Sequence, residues 1–369
     1  MELYYIIHSL VLISCIFELA TIKTKKTVII LWCIFFTMFG GLRWQIGGDW
    51  DQYYSHFLFS NWNNIFNYDR NGDGTQTLEP GFVFLNVLVK TIFGKFYFYN
   101  LIVVGFIQYT YYRLSLKFSP SRPLLFYVFL MMACSNYFPV RAGLAIAVSY
   151  WAYIFIVNRN LKAFLIVIFI ATMIHNQSIV LLPTYWIGKI KLKWYYYLII
   201  YLAVIGLRFV LQDYFILLLS LSGGSLAEKV YFYTQHETVG YAGANYIGWA
   251  LNFVFLCIYL YIRAKKFSSD YLYNSWLNMF IIYNFIFICF SDGFGDLTRL
   301  TSSFVLSQVI LFTMSMNYFI KQKGTIIKTI AIMFFILYCS YKISNVGSGY
   351  FFKDACVPYK TIFDYNSII

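Results

Sequence analysis

The stretch "AFLIVIFIATMIHNQSIVLLPTYWIG", residues 163–188, decides the fold. It is apolar at both ends and polar in the middle, with Arg159 and Lys162 before it and Lys189, Lys191 and Lys193 after it. Basic clusters collect on the cytoplasmic side of a membrane, so both flanks belong to one face. One full span takes about 20 residues at 1.5 Å per residue, and this stretch is too short to cross and return. It predicts two half-length helices that enter from the cytoplasm, meet at His175-Asn176-Gln177 and go back. Broken helices at membrane depth occur where they are buried or line a wet cavity.

The remainder of the chain extends that pattern. Of 369 residues, 60% are hydrophobic and only 12% charged, about half the charge of a soluble domain. Apolar segments recur as far as residue 344, so the first is expected to stay as a span and not to be removed as a leader. Full spans are predicted near 3–22, 27–42, 97–114, 123–139, 141–157, 194–212, 245–263, 272–291, 299–320 and 326–344. Outer loops fall at 43–79 and 213–244, with an outer tail at 345–369, and the whole chain, 1–369, reads as one transmembrane domain. The amphipathic segment "EPGFVFLNVLVKTIFG", 79–94, is expected to insert partway from the outer face. The fold class is thus an all-α integral membrane protein, a polytopic bundle of about ten spans plus half-length helices lining an outward-facing cavity.

A net charge of +13 raises the question of nucleic acid. The basic residues lie in six short clusters between apolar segments and form no stripe, so the partner they indicate is the bilayer and no nucleic acid is expected. Of the 15 acidic residues, all but Glu2, Glu18 and Asp270 lie in the alternate loops or the tail. Seven scattered cysteines show no metal or redox spacing and read as small apolar filler.

A few polar residues stand out from this background. Arg141, in "NYFPVRAGLAIAV", lies between two spans on the outer side without a basic neighbour, and its guanidinium suits a phosphate oxygen. Arg299, in "SDGFGDLTRLTSSF", either pairs with Asp296 at a helix start or clamps an anion. Arg43 ends the second span beside Gly47-Gly48-Asp49, and Arg208 reads equally well as a side chain snorkelling to the interface. His175, at the proposed helix break, is either a buried structural histidine or a group that orients a hydroxyl or carries a proton. "DRNGDGTQTLEP" places Asp69, Asn71 and Asp73 as in the first half of a calcium loop, but Pro80 occupies the closing position and Glu79 falls one short; a Gly/Asn/Asp turn explains the same letters. Asp49-Trp50-Asp51 resembles the metal-binding pair of nucleotide-sugar enzymes. Its predicted place outside the cytoplasm, where such donors are not supplied, removes that substrate. The surrounding Trp44, Trp50, Tyr53, Tyr54, Trp62 and Tyr68 suit both an interfacial belt and sugar packing.

Five pieces occur in order: "RWQIGGDWDQYY", "LEPGF", "PVRAGLA", "HNQSIVLLP" and "DLTRLTSSF". Together they resemble the EpsG-like branch of the Wzy-type O-antigen and exopolysaccharide polymerases. That family's patterns fall here on Arg43, Gly47, Asp49 and Tyr53, on Glu79-Pro80-Gly81, on Arg141 to Ala145, on His175 and on Arg299. Ala142 stands where glutamine is expected, and Gln177 where Ser or Thr often follows the histidine. The resemblance implies a GT-C-type membrane glycosyltransferase, without a cofactor or resident metal, in the bacterial cytoplasmic membrane with its site facing the periplasm or exterior. It would join oligosaccharide repeat units carried on undecaprenyl diphosphate, alongside a flippase and a chain-length regulator. For that reaction the residue chemistry leads us to expect Arg141 and Arg299 on the diphosphate, with Arg43 supporting the loop or the same anion, and Tyr53 and Gln177 in substrate contacts. Asp49, Glu79 and His175 are the candidates for deprotonating or orienting the acceptor hydroxyl, with no basis in sequence for choosing one. A flippase for the same lipid-linked glycan, or a ligase handing it to another acceptor, are the rival functions. A flippase would carry polar residues through the full depth of the bundle, whereas here they gather on the outer side.

Overall fold

The computed structural model describes residues 2–20, 26–69, 77–134, 138, 140–221, 242–290, 298–322, 324–348 and 354–364. Apart from two isolated β-bridges, the regular structure among them is helical. Two compact units divide the chain: Met1–Ile179 with Met316–Ile369, and Val180–Ser315.

The first unit contains α1 (Glu2–Ala20), α2 (Lys26–Gly41), α3 (Trp50–Phe59), α4 (Pro80–Phe93), α5 (Phe96–Phe118), α6 (Pro123–Cys134), α7 (Arg141–Val157) and α8 (Leu161–Ile174). The second holds α9 (Thr184–Ile187), α10 (Trp194–Leu221), α11 (Ala242–Ile262) and α12 (Tyr271–Phe290). Helix α13 (Val305–Ile320) crosses the division, and α14 (Thr325–Ser348) returns to the first unit. In the first unit α5 is the hub, packing on α2, α4, α6 and α7, while α8 packs on α7 and α4. In the second, α12 packs on α10 and α11.

Four helical segments are long and apolar enough to cross a membrane among the described residues: Glu2–Ala20, Tyr246–Phe267, Tyr271–Phe290 and Thr325–Lys342. Shorter apolar helices of 10–17 residues accompany them. Their surfaces are inverted relative to a soluble protein. Phe17, Leu31, Ile166, Phe169, Leu202 and Leu337 are exposed, while Asn86, Asn100, Gln108, Asn274 and Asn284 are buried. Contiguous apolar surface on this scale fits a lipid solvent, and the buried amides of Asn86, Gln108, Asn274 and Asn284 bind carbonyls or neighbouring side chains instead. Asn86 Nδ2, for example, donates to Phe82 O at 2.9 Å, and Gln108 Oε1 accepts from the Tyr127 hydroxyl at 2.5 Å.

Several sequence expectations change. The limb after His175 is not a second half-length helix: it is the 3-10 helix Asn176–Leu181 followed by the single turn α9. Pro183 lies between them and removes a backbone donor, which stops the 3-10 turn from continuing as a longer helix. Helix α10 runs to Leu221, nine residues into the loop expected from 213, and the rest of that loop lies mainly outside the described residues. The loop at 43–79 contains α3 and the 3-10 helix Trp62–Asn64. Arg208 does not snorkel: it is buried, donates to Ile288 O at 2.5 Å and lies 5.0 Å from the Trp249 ring centre. Asn71 and Asp73 of the calcium pattern, and Asp296 beside Arg299, lie outside the described residues.

Candidate functional site

Glu79 is where three of the sequence pieces meet. It is the residue before α4, in extended conformation (φ −64°, ψ 132°) as a residue preceding proline must be, and Pro80 starts the helix at a position that needs no N–H. Gly81 follows because α8 crosses there. A Cβ at Gly81 would lie 2.7 Å from the Met173 carbonyl oxygen, so a larger residue would push α4 off α8. At its far end α4 stops at Gly94 (φ 69°), and Lys90 Nζ reaches back to Leu58 O and Ser60 O at the end of α3. Lys90 thus places a positive charge on the last carbonyls of α3.

Helix α8 begins under an Asn160 side-chain cap and ends at His175, whose extended backbone (φ −156°, ψ 121°) turns the chain out of the helix. That turn aims two donors at one acceptor. His175 Nδ1 lies 2.9 Å from Glu79 Oε1, and the Asn176 N–H donates to the same oxygen at 3.1 Å. The second oxygen, Oε2, accepts from Arg141 Nη1 at 2.9 Å. Arg141 is the first residue of α7, a position where the helix dipole disfavours a cation. The Glu79 carboxylate compensates for it, and the Phe82 ring lies 5.8 Å from the guanidinium carbon. The aromatic that closes the E-P-G-F step is therefore a platform for the arginine.

Burial alone would raise the Glu79 pKa. The His175 hydrogen bond, the Arg141 charge and the Asn176 N–H outweigh it and bring the value down to about 2. A carboxylate bound on both oxygens and held that acidic accepts hydrogen bonds and makes a poor base. Because it only accepts, His175 Nδ1 must carry the proton in this contact, which leaves Nε2 as the lone-pair nitrogen of the neutral ring. Exposure rises from 8% at Glu79 to 13% at Arg141 and 21% at His175, so the histidine is the open end of the row. Close to this cluster in the chain or against Phe82, Arg141 Nε, Gln177 Nε2, Ser178 Oγ and the Tyr99 hydroxyl are buried without a hydrogen-bond partner among the described residues. Tyr99 packs edge-on against Phe82. Sequence reasoning missed it because it is one of two tyrosines in "KFYFYN" and nothing in the letters distinguishes it.

The other predicted residues are placed separately. Tyr53, one turn into α3, packs edge-on against Phe82 at 5.9 Å and so borders the cluster. Asp49 precedes α3, is exposed and makes no side-chain cap bond; Asp51 is exposed in the first turn. Arg43 is 1% exposed and donates to Gly40 O at 2.6 Å and Phe138 O at 3.3 Å, so its terminal nitrogens are engaged with main-chain carbonyls. Burial pushes its pKa down to about 10, which leaves it charged at neutral pH. Arg299 opens the 3-10 helix Arg299–Ser303 in the second unit. Asp69 forms an isolated bridge with Thr77. No group of three or more His, Cys, Asp or Glu is placed to hold a metal among the described residues.

No curated protein and no solved structure matches the chain. The model of the EpsG family matches residues 26–361, which include every residue of the Glu79 cluster and reach into the C-terminal segment. The chain belongs to the EpsG family.

Proposed function

We propose that the protein is a membrane polysaccharide polymerase that joins oligosaccharide repeat units carried on undecaprenyl diphosphate at the outer face of the cytoplasmic membrane. Family membership supports an exopolysaccharide polymerase-like role. The observation that carries the chemistry is the Glu79 carboxylate, which orients His175 on one oxygen and Arg141 on the other. In this reading Nε2 of His175 takes the proton from a sugar hydroxyl of the acceptor repeat. That oxygen attacks the anomeric carbon of the donor, the glycosyl–phosphate bond breaks, and undecaprenyl diphosphate leaves with the bonding electrons. Negative charge grows on the leaving diphosphate. Arg141, with Nε unpartnered among the described residues and the N–H groups of the first turn of α7 beside it, suits that charge. Tyr53 and Gln177 are assigned to the sugars, and Asp49 to the approaching acceptor. Arg299 keeps an anion-binding role on the strength of the family pattern alone.

The test is elongation of a defined undecaprenyl-diphosphate-linked repeat unit by purified protein in the presence of a chelator. A ladder of longer products with release of undecaprenyl diphosphate is expected. A repeat that is moved across vesicles without elongation would make the protein a flippase.

A further inference from the structure

Taking Glu79, Arg141 and His175 as the site, we propose that Arg43 and the C-terminal segment 354–364 form a brace that positions Arg141, so that Arg43 is a positioning residue and not a ligand of the diphosphate. Residues 42–47 form a turn with two left-handed backbones, Gln45 at φ 51° and Gly47 at φ 101°. A non-glycine residue held there persists only when its surroundings over-determine it. The C-terminal segment provides those surroundings. Trp44 N–H donates to Lys360 O at 3.0 Å, Ile362 N–H to Leu42 O at 3.0 Å, and Gly47 N–H to Ala355 O at 2.9 Å. The segment is in turn fastened to the first two helices. The Tyr4 hydroxyl donates to Cys356 O at 2.7 Å, the Tyr359 hydroxyl to Phe39 O at 2.6 Å, and Tyr359 stacks on Phe39 with centroids 4.3 Å apart.

Arg43 carries this order toward the site. It bridges Gly40 O at the end of α2 to Phe138 O, and its guanidinium carbon lies 5.3 Å from the Phe138 ring centre. The same ring packs against Phe39 and Tyr359. Phe138 stands three residues before Arg141, and the Val140 carbonyl that follows it accepts the first helical bond of α7, from Leu144 N–H at 3.0 Å. A shift of Phe138 therefore moves the start of α7, and with it the guanidinium on Glu79. Both terminal nitrogens of Arg43 are committed to those carbonyls by charge-assisted hydrogen bonds, and its Nε, which has no partner among the described residues, is buried on a residue only 1% exposed.

The test compares R43A, R43K and I362P in purified full-length protein, reading elongation kinetics and amide hydrogen exchange across 140–145. Displacement of the guanidinium predicts that R43A lowers kcat about 100-fold while KM changes less than about threefold. Exchange across 140–145 should rise at least about tenfold. I362P, which deletes the Ile362 N–H to Leu42 O bond of the brace, should shift both readouts the same way by less. R43K keeps the charge but cannot span both carbonyls, and it decides the matter at about tenfold in kcat if R43A fails to accumulate. Unchanged exchange at 140–145, or a rise in KM with kcat intact, would overturn the brace. Normal elongation by R141A would instead remove the site assignment, while the exchange result would still stand or fall by itself.

Discussion

Asp49 and Glu79 hold the same local position, one residue before a helix, and neither caps that helix with its side chain. Their surroundings differ completely. Asp49 is exposed at the tip of the turn before α3, whereas Glu79 is buried and holds α7 and α8 through three hydrogen bonds. A carboxylate before a helix gains about 0.3–1 kcal/mol from the dipole in either place. Only Glu79 has partners arranged before any substrate arrives. The comparison separates two roles that look alike as letters: Glu79 sets the geometry of other groups, and Asp49 is available to something that comes from outside.

The strongest way to break that contrast is E79A. It leaves Arg141 with no anion and His175 without its tautomer-fixing partner, so elongation should fall about 1000-fold or more. The protein should lose about 3–5 kcal/mol of stability, read by denaturant unfolding in detergent. Wild-type turnover would show that Glu79 is only an outer carboxylate like Asp49. Acid offers a second probe of the same group. Its pKa is about 2 in the folded protein against 4.5 ordinarily, so its contribution, about 3 kcal/mol, is complete above about pH 5 and disappears as pH falls toward 2. Wild type should therefore lose stability through that window more steeply than E79Q, and parallel curves would refute the buried ion pair. R141K comes next. One ammonium cannot both hold Glu79 and present a second nitrogen to a diphosphate, and turnover should drop about 100-fold at unchanged protein level. The smallest effects belong to the exposed pair. D49N should cost about tenfold, and D51N less than about twofold, in the same elongation assay; equal losses would mean that both carboxylates face substrate.

Much of this was legible as letters because the physics is local. Apolar length and basic clusters predicted helices and their breaks, and α7 begins at Arg141 as expected. The segment that begins at Glu79 was expected to insert partway from the outer face, but its letters gave no sign that Gly81 lies against Met173. The His175 break was foreseen, while the form of the returning limb was not, since a 3-10 turn and a half-length helix share the same apolar composition. The base could not be chosen among Asp49, Glu79 and His175, because that choice depends on which group loses its lone pairs to neighbours. The role of residues 354–364 was invisible: their contacts to 42–47 are mostly main-chain, and main-chain bonds leave little trace in side-chain identity.

By itself, the sequence determined the solvent of this protein and the identity of its few exceptional polar groups. Both follow from transfer free energies that act residue by residue. Which of those groups are joined was decided only by tertiary structure. Glu79, Arg141 and His175 are separated by 62 and 96 residues from the glutamate, and it takes the crossing of α4 over α8 at Gly81 to bring them within hydrogen-bond distance.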